Sequence, residues 1–242
     1  MEKKSVDIIF PVYFGNKNIL GISIRRAIEI FDKKLHFLNW KIIIVLNGIY
    51  CHEIKQEVEQ ISKNFPAHIA YEYTPKAGKG WGVLLGWEKS VADVRAYMDI
   101  DLSTDPNGVD RLIMPILRNE ADIVVGSRYH KDSKVHRFFI RRFVSKIYHR
   151  IFVKWVLGCS ISDLQCGFKA INGKALKHIL PFIKDREWFF ESEMIYLASK
   201  FGFKIKEIPV QWTQGQNESG VQLHKVIPKF IYKTLELRWR KL

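Results

Sequence analysis

Asp99 and Asp101 stand two residues apart at the end of a short apolar run, Arg95 to Met98. Two carboxylates at that spacing can hold Mg2+ or Mn2+ and leave coordination positions for phosphate oxygens. Lys79 lies between Gly78 and Gly80 at the start of a helical pattern. An ammonium and free backbone N–H groups there could face a diphosphate, although the further glycine and the Lys-Ser/Thr ending of a P-loop are missing. Arg137, Arg141, Ser145 and His149 recur every four residues, and Phe139, Phe143, Ile147 and Ile151 lie between them. On a helix the first set presents forked donors to a phosphate and the second an apolar face beside it. A capped surface turn and a solvated helix face are the plain alternatives for the lysine and for the arginine row. The absence of acids between Asp132 and Asp163 weighs against the solvated face, which normally mixes charges of both signs.

The elements that must carry these residues alternate. Val6 to Val12 reads as a strand, Ile19 to Leu38 as a helix, Lys41 to Leu46 as a strand closed by Asn47-Gly48, and Glu53 to Phe65 as a helix. Ile69 to Tyr73 is a third strand, Gly78 opens a helix through about Val91, and Arg95 to Met98 is a strand ending in Asp99. Asp105-Pro106 starts another helix and Asp122 to Val125 is a further strand. Such alternation predicts an α/β fold with a mainly parallel sheet and helices on both faces, and ligands in such sheets bind at the carboxyl ends of strands. Tyr13, Asn47 and the aspartate pair fall at those ends. Farther on, Lys134 to Leu157 is a basic amphipathic helix pattern, Ser160 to Phe168 a loop, Trp188 to Phe201 a helix, and Lys204 to Trp212 a strand. Residues 1–220 read as one domain, and residues 221–242 as a basic amphipathic appendage with Pro228 in its first turn.

Charge separates the partner classes. The chain of 242 residues carries 39 Lys or Arg and 25 Asp or Glu, a net +14. Residues 128–162 hold nine basic residues against Asp132, and 221–242 hold six against Glu236, so these two stretches supply +8 and +5 of it. The remainder is near neutral, unlike a protein that coats nucleic acid over a broad face. Lys225, Lys229 and Lys233, with Ile227, Phe230, Ile231, Leu235 and Trp239, fit a helix lying in an anionic membrane interface, docking on the protein's own core being the alternative. No apolar run approaches the roughly 18 residues that span a bilayer, so a peripheral protein is expected rather than an integral one. Three cysteines, Cys51, Cys159 and Cys166, without paired ligand spacing suggest neither a disulfide framework nor a structural zinc site, and so a reducing cytosol.

The motifs, taken in order, resemble glycosyltransferase family 2, and within it the dolichyl- or polyprenyl-phosphate glucosyl- and mannosyltransferases. The matching pieces are Phe10-Pro11-Val12-Tyr13, Asn47-Gly48, Gly78-Lys79-Gly80, Asp99-Ile100-Asp101-Leu102-Ser103, Gly126-Ser127-Arg128, Arg141 with Ser145, Asp163 to Lys169, Phe190-Glu191-Ser192-Glu193, and Glu207-Ile208-Pro209-Val210-x-Trp212. The resemblance implies a GT-A nucleotide-binding sandwich. By it, Pro11, Tyr13, Asn47, Lys79 and Asp99 bind the nucleotide, and Asp99 and Asp101 hold Mg2+ or Mn2+. Arg128, Arg141 and Ser145 hold the acceptor's phosphate, and Asp163 is a carboxylate near the reacting sugar. Asn47 follows Leu46 where the family usually carries two aspartates. The reaction implied is inverting transfer of a hexose, glucose favoured, from a nucleotide sugar, UDP favoured, to a polyprenyl phosphate on the cytoplasmic face of the membrane. A glycan or glycolipid hydroxyl as acceptor and, remotely, a nucleic-acid-binding protein are the competing readings.

Overall fold

The computed structural model describes residues 3–136, 154–214 and 223–241, without the side chains of 223–226. Strands β1 (Ser5–Val12), β2 (Asn39–Asn47), β4 (Val94–Met98) and β5 (Ile123–Ser127) are apolar on both sides of the pleat. Strands of that composition need cover on two faces. The alternation divides them cleanly. Val6, Ile8, Phe10, Ile42, Ile44 and Ala96 share one core with helices α1 (Leu20–Lys34), α2 (His52–Asn64) and α4 (Val109–Leu117). Ile9, Val45 and Tyr97 turn to the opposite core, with α3 (Lys79–Lys89), α5 (Gly173–Ile179) and α6 (Phe190–Lys200).

With β3 (Ile69–Thr74), β7 (Phe168–Asn172) and β8 (Ile205–Pro209), these form one sheet of order β3-β2-β1-β4-β7-β5-β8. Strands β1 to β4 pair in parallel, as do β5 and β8, and β7 runs antiparallel between β4 and β5. The expected mainly parallel sandwich is therefore the one observed. Three local expectations need correction. Phe168, placed at the end of a loop, begins β7, a strand whose second residue is a buried lysine and whose sequence signal is correspondingly weak. The single strand expected over Lys204 to Trp212 breaks after Pro209, whose missing N–H cannot extend the ladder. Its second half, β9 (Gln211–Thr213), pairs instead with β6 (Lys134–His136) in a separate ribbon. Lys134 thus opens a strand and not the long basic helix, and Arg137, Arg141, Ser145 and His149 lie outside the described residues.

The last helix, α7 (Leu223–Trp239), is docked on this sandwich. Leu237 and Thr234 are buried, and Phe230 meets Phe189 edge-on at 5.4 Å. Lys229 and Lys233, expected to face lipid, pair with Glu187 and Asp185, while Arg240 lies 2.6 Å from Glu193. Because the helix begins at Leu223, Pro228 sits in its second turn.

Candidate active site at the strand ends

Tyr13, Asn47 and Asp99 follow or end β1, β2 and β4 on the carboxyl edge of the sheet, and the site is built outward from them. A cleft over the ends of β1 to β3 is lined by Tyr13, Asn47, Tyr50, Cys51 and Tyr73. Its three tyrosines are 56%, 51% and 41% exposed, so aromatic faces are available to a planar ligand. Asn47 is buried, and its side-chain N–H donates to the Gly78 carbonyl at 3.1 Å. An aspartate would set a carboxylate oxygen against that carbonyl, which gives a physical reason for the amide at a position where two acids were expected. Pro11 does not line the cleft. It is buried in β1, against the glycine face of α3 at Gly82.

The entry to α3 corrects a second expectation. Gly78 has φ +131°, a conformation open to glycine, and a side chain at Gly78 or Gly80 would collide with the backbone of Arg186. The segment 185–188 crosses there: the N–H groups of Gly80 and Trp81 donate to the carbonyls of Glu187 and Arg186 at 3.1 and 2.9 Å. Two donors of the helix start are thereby occupied by the protein itself. The Lys79 ammonium points inward too, 2.7 Å from Asp99 Oδ1 and 2.8 Å from Glu191 Oε1, and its side chain is only 7% exposed.

Glu191 is shared. Its other oxygen takes the ammonium of Lys169, which also donates to the Cys166 carbonyl at 2.5 Å and to the Tyr97 hydroxyl at 3.4 Å. The chain Asp99–Lys79–Glu191–Lys169 therefore runs from the strand end into the core. Burial opposes ionisation of Glu191, but Lys169 and Lys79 outweigh it and hold its carboxyl down at about 2. Burial likewise opposes the charge on Lys79, and Asp99 and Glu191 reverse that, leaving its pKa above the ordinary lysine value. Lys169 and Glu191 stood in the family motifs without a role, and the alternation of β7 and β4 supplies one: the face that carries Tyr97 also carries Lys169, and a buried ammonium demands a buried acid.

Asp101 is the exposed member of the pair. Its Oδ1 accepts the Ser103 N–H at 2.9 Å, and Leu102 between them has φ +49°, a left-handed conformation that costs about 1 kcal/mol for such a residue. The turn is tied down by the Leu102 N–H to Asp99 carbonyl bond, 3.1 Å, and by Thr213 N–H to the Ser103 carbonyl, 2.8 Å. Asp99 is packed against Gly167, where a Cβ would fall 1.9 Å from its Oδ2.

Among the described residues no cluster of three His, Cys, Asp or Glu side chains forms a metal cage. The donor set fits an Mg2+ or Mn2+ ion that arrives with phosphates, since such ions are commonly held by one or two carboxylates plus substrate oxygens. Asp101 offers a solvent-facing carboxylate for this, whereas Asp99 has one oxygen committed to Lys79.

Arg128 and Asp163 meet each other. The guanidinium Nε and Nη2 lie 2.7 and 2.8 Å from the two Asp163 oxygens, the Arg128 backbone N–H donates to the same carboxylate at 2.9 Å, and Nη2 also reaches the Gln165 carbonyl. Asp163 is fully buried, and against the cost of burying Arg128 it holds the guanidinium's pKa well above the ordinary value. Arg128, expected on an acceptor phosphate, is thus turned into the protein with its fork on a carboxylate. Glu207 supports the pair from behind, accepting the Ser162 hydroxyl at 2.6 Å and the Ser162 and Asp163 N–H groups at 3.0 and 3.3 Å. Arg141 and Ser145, the other expected phosphate ligands, are outside the described residues.

A helix–sheet–helix sandwich with an Asp-x-Asp turn at its carboxyl edge, beside an aromatic cleft, is the arrangement of the GT-A glycosyltransferases. Residues 7–180 match glycosyl transferase family 2, and the chain belongs to that family. It is 29% identical to a dolichyl-phosphate beta-glucosyltransferase of Dictyostelium discoideum, over 97% of this chain and 76% of that protein. It is 26% identical to the glycosyltransferase AglD of Haloferax volcanii over 86% of this chain, and spans only 33% of that longer protein. Glucosyl-3-phosphoglycerate synthase of Mycobacterium tuberculosis, solved with Mn2+, UDP and phosphoglyceric acid, superposes with a TM-score of 0.70 at 13% identity, covering 99% of this chain and 80% of that one. Among the described residues, no helix is long and apolar enough to cross a membrane.

Proposed function

We propose that this glycosyltransferase moves a hexose, with glucose favoured, from UDP to a polyprenyl or dolichyl phosphate. The observation that carries the reading is the condition of the carboxylates. Asp163 is paired to Arg128, Glu191 to Lys79 and Lys169, and Asp99 to Lys79. Asp163 and Glu191 are thereby withdrawn from proton transfer, and Asp99, whose carboxyl pKa burial pushes up, has one oxygen on Lys79 and the other against Gly167, which supports an acceptor that needs no base. A phosphate monoester, with a second pKa near ~6, is already largely dianionic at neutral pH. A glycan hydroxyl would call for a general base within hydrogen-bond reach.

In the proposed reaction an acceptor phosphate oxygen bonds to the sugar's anomeric carbon as the bond from that carbon to the diphosphate oxygen breaks. The bonding pair leaves with the diphosphate. A divalent ion bound with the nucleotide supplies charge neutralisation for that leaving group. Asp101 would hold such an ion, and the Leu102 turn fixes the direction of its carboxylate. Lys79 keeps Asp99 in place and balances its charge, and the tyrosine cleft takes the base. Arg128 and Asp163 shape the wall of the site as a locked pair, and the basic residues between 128 and 162 supply the attraction for the acceptor. The donor reading draws on the relatives' names and on the UDP-bound neighbour with the same fold.

The acceptor would lie in a membrane, whose cytoplasmic side we take as the site of action, and the exposed aromatics of α7 support association with its surface. Tyr232 and Trp239, seven residues apart and so on one face of the helix, are 68% and 73% exposed, opposite the buried Thr234 and Leu237. The test is transfer to a short polyprenyl phosphate from a panel of UDP- and GDP-hexoses with Mn2+ or Mg2+, reading lipid-linked product by mass. Donor hydrolysis without lipid product, or a product that survives mild acid, would overturn the acceptor assignment.

A further inference from the structure

Trp188 stands at the mouth of the site without a role in the chemistry described above. Its neighbours Phe189 and Phe190 are buried, yet its own side chain is 46% exposed. The ring centroid lies 5.4 Å from the Lys79 ammonium, which is itself 2.7 Å from Asp99. An indole thus meets the ammonium that pairs with the strand-end carboxylate, partly covered and partly bare.

The backbone that carries it is held in place. Asp185 Oδ1 accepts the N–H groups of Glu187 and Phe190 at 2.8 and 3.0 Å, and Glu193 Oε2 accepts those of Lys184 and Asp185 at 3.0 and 2.7 Å. The carbonyls of Arg186 and Glu187 are bound by the start of α3, and Gly78 and Gly80 allow that close approach. A large aromatic side chain on a fixed segment, beside polar groups and short of apolar cover, offers a preorganised face to a ligand.

The order of the sheet says which part of the donor that is. The base has its own tyrosines over the ends of β1 to β3. Asp99 follows β4, on the far side of β1 from β2 and β3, and although the backbone of segment 185–188 crosses the start of α3, the Trp188 ring meets the Lys79 ammonium that pairs with Asp99 there. A nucleotide sugar with its base in the cleft and its diphosphate at Asp101 extends its hexose toward that side. One face of a glucopyranose ring presents axial C–H bonds, which suit the negative face of an indole ring.

The geometry points to Trp188 as the platform on which the donor's hexose stacks, a specificity-determining residue for the transfer. This rests on the nucleotide-sugar part of the proposed function and not on its lipid acceptor. The test compares binding of UDP-glucose and of UDP alone, by titration calorimetry with Mn2+, to the wild-type chain and to Trp188→Phe, Trp188→Leu and Trp188→Ala. GDP-mannose and GDP serve as a second pair. Trp188→Ala and Trp188→Leu should weaken the nucleotide sugar by about 3- to 10-fold, the size of one lost aromatic contact, and leave the free nucleotide unchanged. Trp188→Phe should recover most of the loss. Equal weakening of sugar nucleotide and nucleotide would make the indole a structural cover for Lys79 and overturn the assignment, as would no change in either. A raised KM for polyprenyl phosphate with donor binding unchanged would put the acceptor's chain on the ring and equally overturn it. A wild-type chain that binds no nucleotide sugar removes the basis of the proposal altogether. Wild-type donor binding that splits as expected, without lipid product, would refute the acceptor reading alone.

Discussion

Glu191→Gln tests the buried charge chain directly. The substitution keeps size and shape but removes the one carboxylate shared by Lys79 and Lys169, whose side chains are 7% and 1% exposed. Lys79 retains Asp99, whereas Lys169 keeps only the Cys166 carbonyl and the Tyr97 hydroxyl. Leaving one ammonium buried without its counter-ion costs about 3–5 kcal/mol. The carboxyl's own titration gives a similar figure: held at about 2 against an ordinary 4.5, it contributes roughly 3 kcal/mol at neutral pH. For a chain of this length that is a fall in Tm of about 6–20 °C. The sign with pH follows from the depressed value. The contribution is fully present above the unfolded-state pKa near 4.5 and is lost as pH falls toward about 2. The stability gap between wild type and variant should therefore narrow by about 2 kcal/mol from about pH 6 to about pH 3, measured by urea unfolding. Lys169→Met in the same background should restore part of the loss, because the orphaned charge is then gone. A variant within about 1 kcal/mol of wild type, or a gap indifferent to pH, would refute the account of Glu191 as the shared counter-ion.

Asp101→Ala should lower transfer at least about 100-fold while leaving the urea midpoint close to wild type, because the carboxylate is solvent-facing and bonds one backbone N–H; retained activity would exclude it as the donor-side ligand. In Gly167→Ala the added methyl would sit 1.9 Å from Asp99 Oδ2, so the variant should lose about 1–3 kcal/mol of stability and bind nucleotide more weakly by calorimetry. Asp163→Asn should cost about 3 kcal/mol in urea unfolding, since the Arg128 fork is left with an amide. Replacing Tyr232 and Trp239 together by alanine should reduce flotation with anionic vesicles without altering the melting temperature, both side chains being largely exposed on α7.

The first half of the fold was legible because its strands and helices obey their periods. β1, β2, β3 and β4 fall where apolar runs are closed by Pro, Asn-Gly or Asp, and the strand-end position of Asp99 follows from them. The second half was less so, for reasons that can be named. β7 contains a buried lysine in a strand of five residues, so its pattern reads as polar until its place between β4 and β5 is known. β9 is three residues long and takes its partner from residues 134–136, which local sequence assigns to a helix. Within the candidate site, residue types and spacing singled out Asp99, Asp101 and Lys79, and the structure brings Asp99 and Lys79 together, but spacing does not report direction. Lys79 and Arg128 turn inward to acids that lie 112 and 35 positions away in the chain, Glu191 and Asp163.

That inward turn of the cations decides the chemistry the site can perform. Buried acids without partners would be neutral at physiological pH and available as proton donors or acceptors. Here each is matched: Glu191 by two lysines, Asp163 by a bidentate arginine, and Asp99 by Lys79. The pairing ties together the segments that meet at the strand ends and in the same act removes Glu191 and Asp163 from acid–base work. Facing solvent are Asp101, on a turn whose left-handed residue fixes its direction, and part of the Asp99 side chain, with the half-exposed tyrosines on one side. Under the proposed function such a site would stabilise negative charge on a departing diphosphate and position an incoming nucleophile that needs no deprotonation. An acceptor that brings its own negative charge is the partner that the proposed function assigns to this arrangement.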